Sequence, residues 1–116
     1  MPASFAKPLR AAFLLISFLS VAFSAFGQSA GNSTSVTGTV LDPSGAVIPN
    51  ATVEIRNPVS GFERTTTTDA AGQFDIPNVP FNPYHLIARS QGFAPSVQDV
   101  DVRSVVPINL TIDLGL

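Results

Sequence analysis

Short runs of alternating apolar and polar residues extend from Val36 to Leu114, and turn-forming residues separate these runs. The separating segments are rich in Gly, Pro, Asn and Asp, and the whole chain contains ten prolines and eight glycines. Asp42-Pro43-Ser44-Gly45 is a strong turn signal, because Pro suits the second position of a β-turn and Gly closes it. After the first 27 residues, no segment repeats apolar residues with the 3.6-residue period of a helix. This pattern predicts an all-β domain.

The alternation predicts seven short strands with a turn about every 8–12 residues, which is typical of a Greek-key β-sandwich. We therefore predict a single seven-stranded Greek-key β-sandwich. Pro77 is expected to end the fourth strand, because proline cannot donate a hydrogen bond within a sheet. Pro80, Asn82 and Pro83 are expected to form a rigid connector. The predicted strands contain residues 36–40, 52–56, 63–68, 74–76, 84–89, 99–103 and 108–114.

The third predicted strand, residues 63–68, is β-branched but polar on both faces. Such a strand suits the edge of a sheet, where neither face needs full cover and charges discourage unwanted pairing. An edge strand can accept an extended segment of a partner by β-augmentation. Thr66 and Thr67 are the residues that we predict to take part in this interaction.

The first 27 residues have the features of a cleavable export signal. Lys7 and Arg10 supply a positive start, residues 11–26 are apolar apart from three serines, and Ala25-Phe26-Gly27 ends in small residues suited to signal peptidase. The alternative is an uncleaved membrane anchor, since the apolar stretch approaches the minimum spanning length of about 17 residues. We predict a signal peptide over 1–27, a flexible tail over 28–35 and the sandwich domain over 36–116. The protein would then be exported to the periplasm or be associated with the outer membrane, with no membrane span in its mature part.

Composition excludes several classes of function. The chain has no cysteine, so packing and sheet hydrogen bonds alone must stabilise it. Removing Lys7 and Arg10 from the six basic residues leaves four against eight acidic residues. A mildly acidic domain of this kind offers no electrostatic surface for nucleic acid.

The sequence contains no recognisable catalytic or metal site. His85 is its one histidine, and Glu54 and Glu63 are its two glutamates, on separate predicted strands. A zinc site needs three or four clustered ligands, and no cysteine or Gly-x-Ser-x-Gly motif supplies a nucleophile. Asp99 and Asp101 share one strand face, which fits weak cation binding or, more simply, a solvated face. We predict no enzyme activity, no metal and no cofactor.

The order and spacing of the turn and core signals resemble the carboxypeptidase regulatory-like domain family. The resemblance implies a transthyretin-like sandwich. Known relatives are accessory modules of metallo-carboxypeptidases, N-terminal extensions of TonB-dependent outer-membrane transporters and, in the wider fold group, starch-binding modules. The motifs that carry the resemblance are Gly38-Thr39-Val40, Asp42-Pro43-Ser44-Gly45, Ile48-Pro49-Asn50-Ala51-Thr52-Val53, Thr68-Asp69-Ala70-Ala71-Gly72-Gln73-Phe74, Pro77-Asn78-Val79-Pro80, Tyr84-His85-Leu86 and Gln91-Gly92-Phe93.

Three functional hypotheses follow from this resemblance. The first is a non-catalytic interaction module with a protein partner, related to the N-terminal extension of a TonB-dependent transporter. The second is a carbohydrate-binding module that stacks polysaccharide on aromatic residues near turns, with the alternative that these rings close the core. The third is a spacer without a ligand. The aromatic candidates are Phe62, Phe81, Tyr84 and Phe93.

Overall fold

The computed structural model describes Gly31–Leu116, and every regular element in this part of the chain is a β-strand. The predicted signal peptide and the start of the predicted tail lie outside the described residues. Within them, no helix is long and apolar enough to cross a membrane. The strands are β1 (Ser33–Leu41), β2 (Thr52–Asn57), β3 (Phe62–Thr67), β4 (Gln73–Pro80), β5 (Asn82–Arg89), β6 (Ser96–Val102) and β7 (Ile108–Asp113).

The seven strands form two sheets. The small sheet has the order β4-β1-β7, and the large sheet has the order β3-β2-β5-β6. Strands β1 and β7, the first and the last, are parallel neighbours, whereas every other pairing is antiparallel. The predicted seven-stranded all-β sandwich is confirmed.

The core lies between the sheets and follows the period of two that the sequence shows. Along β1, half-buried and buried residues alternate without exception, as expected for a strand with one face toward the core. Gly38 occupies the middle of that buried row. A Cβ atom there would lie 2.7 Å from the ring of Phe74 and 2.6 Å from the carbonyl oxygen of Leu110. Gly38 therefore makes room for the Phe74 ring.

Two predicted strand limits are wrong. β1 begins at Ser33, so the last three residues of the predicted flexible tail belong to the sheet. β4 continues through Pro77 as far as Pro80. Proline is tolerated because β4 is an edge strand and because its pairing with β1 shifts between Thr34 and Val36, where a bulge leaves residues unpaired.

The predicted connector after β4 is also shorter than expected. Phe81 alone separates β4 from β5, and Asn82 and Pro83 already lie in β5. Pro83 pairs with Asp101 of β6, and the pairing of β5 with β2 begins only at His85. Pro83 therefore has a sheet neighbour on one side only, which is where a strand accommodates proline.

Candidate functional site

The free edge of β3 is the first candidate surface. β3 pairs with β2 and has no strand on its other side, so the predicted edge position is confirmed. The Thr68 amide donates to the carbonyl oxygen of Ala51 at 2.9 Å, which turns the backbone of Thr68 toward β2. Because backbone direction alternates along an antiparallel strand, the N–H and C=O groups of Glu63, Thr65 and Thr67 point away from β2. We call these outward groups the β3 edge.

Thr66 and Thr67, the two predicted edge residues, have opposite roles. Thr67 is exposed and its backbone belongs to the β3 edge, whereas Thr66 is half-buried and pairs with Val53 of β2. The backbone of Thr66 therefore bonds within the sheet and cannot hydrogen-bond to an added strand. Thr65 is the better second residue, since it is exposed and its backbone points outward.

Two charged residues of β3 lie along this edge. The Arg64 guanidinium lies 5.2 Å from the centre of the Phe62 ring, which is the geometry of a cation–π contact. Glu63 lies opposite Arg56 in the β2–β3 register. Within residues 31–116, neither Arg64 nor Glu63 forms an ion pair with another side chain. Both charges are available to the residues of an added strand.

A groove at one end of the large sheet is the second candidate surface. It has a volume of about 440 Å³, and a neighbouring depression is lined by Phe62 and Glu63. Val59 lines the groove, and 95% of its surface is exposed to solvent. The groove is lined by Asn57, Pro58, Val59, Pro83, Tyr84, His85, Asp99, Val100 and Asp101.

The Asn57 side chain connects two of the segments that line this groove through three hydrogen bonds. Its Nδ2 donates to the carbonyl oxygen of Pro83 at 2.7 Å, and its Oδ1 accepts from the amides of Val59 and Ser60 at 2.8 and 2.9 Å. The buried amide thus fixes the β2–β3 turn against β5. The local sequence Asn57-Pro58 carries one signal for this arrangement, because an Asn side chain at such a position favours an Asx turn.

The polar side chains of the groove are paired and exposed. His85 Nδ1 lies 2.9 Å from Asp99 Oδ1, and about half or more of each side chain is open to solvent. Asp101 pairs with Arg103. Exposed pairs of this kind contribute little to stability. In the described part of the chain, no three His, Cys, Asp or Glu residues are grouped closely enough to hold a metal ion.

The four aromatic candidates do not form one platform. Tyr84 is only 2% exposed, and its hydroxyl donates to the Pro80 carbonyl oxygen at 2.6 Å. Burial raises the pKa of this phenol, and Asn82 partly offsets the rise. The structure therefore corrects the prediction that Tyr84 offers a stacking face. Phe62, Phe81 and Phe93 are partly buried against the core.

Phe62 and Tyr84 are the two candidates that the fold brings into contact. Their ring centres are 5.5 Å apart with an angle of 63° between the planes, the edge-to-face arrangement that aromatic pairs favour. Phe81 precedes β5 and Phe93 follows it, so these two rings lie at opposite ends of that strand. One sugar chain cannot stack on all four rings.

The two sheets, the parallel first and last strands and the open edges define residues 31–116 as a transthyretin-like β-sandwich domain. The family model of the carboxypeptidase regulatory-like domain matches residues 35–115. The chain belongs to the carboxypeptidase regulatory-like domain family. No similar sequence is found among curated proteins.

Solved structures with the same fold are remote in sequence. The Bacillus anthracis TIE protein matches with a TM-score of 0.62 and 20% identity over 72% of this chain and 16% of its own length. Catechol 1,2-dioxygenase from Acinetobacter sp. ADP1 matches with a TM-score of 0.61 and 13% identity over 78% of this chain and 54% of its own length. The group B streptococcus pilus 2b backbone protein matches with a TM-score of 0.57 and 16% identity over 72% of this chain and 41% of its own length. The chain spans less than two thirds of each structure, and these likenesses establish the fold alone.

Proposed function

We propose that the chain is an exported, non-catalytic interaction module that binds a protein partner through the β3 edge. The observation that carries the proposal is the row of outward backbone groups on Glu63, Thr65 and Thr67. An extended segment added there gains main-chain hydrogen bonds, which is the usual source of affinity in β-augmentation. Membership of a family described as regulatory-like supports a module that acts on another protein.

The cellular setting that we propose is the periplasm, at an outer-membrane TonB-dependent transporter. Two features support this setting: the leader pattern of residues 1–27 and the resemblance to modules that precede such transporters. In this setting the sandwich presents the β3 edge to the transporter or to a protein that docks on it.

Site-specific photo-crosslinking in the native cells tests the proposal. A photoreactive residue replaces Thr65, whose backbone belongs to the β3 edge, or Thr111, an exposed residue on the outer face of the small sheet, as the matched control. We expect a defined protein adduct from position 65 and none from position 111. Equal adducts from both positions, or none from position 65 in a folded variant, would refute binding through this edge.

Carbohydrate binding is the second candidate, and the half-buried Phe62 ring beside Glu63 and His85 is the observation that favours it. Sugar-binding sites combine an aromatic face with nearby polar groups. We expect a polysaccharide-containing gel to retard the chain and the Phe62→Ala variant to lose that retardation. Phe93→Ala is the control, because Phe93 lies beyond the opposite end of β5. An unretarded wild-type chain eliminates this candidate for the polysaccharides used.

A further inference from the structure

We propose that the strand added to the β3 edge belongs to a second copy of this chain. Two large sheets would then join across a two-fold axis into one continuous sheet. This inference rests on the proposed function, since it names the occupant of the same edge.

The charges of β3 select a single register for this pairing. A two-fold pairing of β3 with itself is antiparallel, and residues with outward backbone groups must lie opposite one another. Centring the pair on Glu63 sets two carboxylates side by side. Placing Glu63 opposite Thr65 centres the pair on Arg64 and sets two guanidinium groups opposite each other. Like charges directly opposite destabilise a sheet, so both registers are disfavoured.

The register centred on Thr65 avoids both conflicts. Thr65 then faces Thr65 of the second copy, Glu63 faces Thr67, and Arg64 faces Thr66. Cross-strand Thr–Thr pairs are favourable, and each charged residue meets a neutral hydroxyl. Registers centred further along pair fewer residues, because β3 ends at Thr67. The like charges of Glu63 and Arg64 thus disfavour two slipped registers, the short length of β3 disfavours the others, and the register centred on Thr65 is the most favourable.

The composition of β3 separates it from the other edge of the large sheet. β3 contains no proline and pairs with β2 without a register shift. The opposite edge strand, β6, carries Asp99 and Asp101, whose like charges oppose pairing with a second copy. The expected contact is small and therefore weak, since interfaces below about 1,200 Å² are typically transient.

Disulfide trapping tests the register, because the chain has no cysteine of its own. In the register centred on Thr65, the two Thr65 residues form a hydrogen-bonded pair, whose Cα atoms are about 5.5 Å apart, and this separation is within the Cα range of a disulfide. In the full chain, we expect mild oxidation of the Thr65→Cys variant to give a covalent dimer. The Thr67→Cys variant is the matched control, because its two cysteines would be displaced from each other by four residues, about 13 Å, along the strand. A mixture of Glu63→Cys and Thr67→Cys chains is expected to cross-link.

The outcomes separate this inference from the proposed function. A dimer from Thr65→Cys, with none from Thr67→Cys alone, supports the two-fold register. Equal trapping of both variants, or no trapping of folded Thr65→Cys, overturns it. If photo-crosslinking at position 65 then captures a different protein, the proposed function survives without the self-pairing. If it captures nothing, both fail.

Sedimentation equilibrium of the unmodified chain measures self-association independently of disulfide trapping. We expect a reversible monomer–dimer equilibrium that the Thr67→Pro variant loses, because proline removes an outward N–H of the β3 edge. Circular dichroism checks that the variant keeps its fold. A chain that stays monomeric at millimolar concentration, or a folded Thr67→Pro variant that dimerises as well as wild type, overturns the inference.

Discussion

Two turns of the sequence form Asp-x-x-Gly are built by the same contacts. In each, the Asp Oδ1 accepts hydrogen bonds from the amides two and four residues later, at 2.8 and 3.0 Å for Asp42 and at 2.9 Å for both bonds of Asp69. Each turn ends in a glycine with positive φ, 88° at Gly45 and 72° at Gly72. The two turns differ in their surroundings, because only Gly72 is packed against another segment.

This difference predicts unequal effects of alanine at the two glycines. Gly45→Ala should cost about 1 kcal/mol, since open space surrounds it and only the positive φ is strained. Gly72→Ala should cost about 1–3 kcal/mol more, because its Cβ would lie 2.8 Å from Val47 Cβ and 3.0 Å from the Val40 carbonyl oxygen. Urea unfolding of both variants measures the difference. Equal losses of stability would show that the packing around Gly72 relaxes without cost.

The carboxylate of Asp42 also predicts a pH dependence. The Ser44 hydroxyl is the largest influence on Asp42 and lowers the pKa of this carboxyl below its ordinary value of 3.8. Desolvation opposes it as the second influence, and the amides of Ala46, Ser44 and Gly45 add to the lowering. A lowered pKa in the folded state contributes stability above pH 3.8, and this contribution is lost as the pH falls through the folded value. Wild type should therefore exceed Asp42→Asn in unfolding free energy at pH 6, and the gap should narrow toward pH 3. A gap that widens in acid would contradict this assignment.

At the scale of elements, the Thr68 side chain links the β1–β2 loop to the end of β3 by hydrogen bonds. Its Oγ1 donates to the Ile48 carbonyl oxygen at 2.7 Å and accepts from the Ala51 amide at 2.8 Å. The residue is only 3% exposed, although Thr67, which precedes it in the chain, is open to solvent. The sequence placed Thr68 at the end of a polar strand and did not distinguish it from the exposed threonines, because its partners are 17 and 20 residues away.

Replacing Thr68 by its apolar isostere should be strongly destabilising. Thr68→Val leaves a buried carbonyl and a buried amide without partners, which should cost about 2–4 kcal/mol. Thr68→Ser keeps the hydroxyl and should lose only about 1 kcal/mol. Thr65→Val, on the exposed edge, should stay within about 0.5 kcal/mol of wild type. Thermal unfolding of the three variants measures this order, and a Thr68→Val variant as stable as Thr65→Val would show that these two bonds do not matter.

Local patterns in the sequence were sufficient to predict the elements but not their partners. Alternation identified all seven strands, and the polar composition of residues 63–68 identified an edge. The parallel pairing of β1 with β7 joins strands about seventy residues apart, and no local signal specifies it. Pro77 was misread because its tolerance depends on the edge position of β4. The groove was missed because Asn57, Pro83 and Asp99 come together from three strands.

At the scale of the molecule, the two sheets share one hydrophobic core, and the pairing of the first strand with the last adds β7 to the small sheet. Ile112 of β7 is 1% exposed and belongs to the same buried cluster as Tyr84 of the large sheet. Because a small domain with one core unfolds as a unit, a destabilising substitution in one sheet should lower the unfolding midpoint of the other sheet as well.

A single substitution and a single fluorophore test this cooperativity. Ile112→Ala should cost about 2–5 kcal/mol. Tyr84 is the one tyrosine, and the chain has no tryptophan, so tyrosine fluorescence reports on the large sheet alone. We expect the midpoints from fluorescence and from circular dichroism to fall together. A fluorescence midpoint that does not move would show that the two sheets unfold separately.

The use of the β3 edge as a binding surface is the central claim, and amide hydrogen exchange read residue by residue tests it most directly. The exchange of Thr65 and Thr67, whose amides point outward, is compared with that of Thr66, whose amide faces β2. Spectra are recorded for the dilute chain and for the chain assembled with its partner or a second copy. We expect Thr65 and Thr67 to change from fast to slow exchange on assembly, with Thr66 protected in both states. Fast exchange at Thr65 and Thr67 in the assembled state would contradict the claim and place the interface elsewhere on the sandwich.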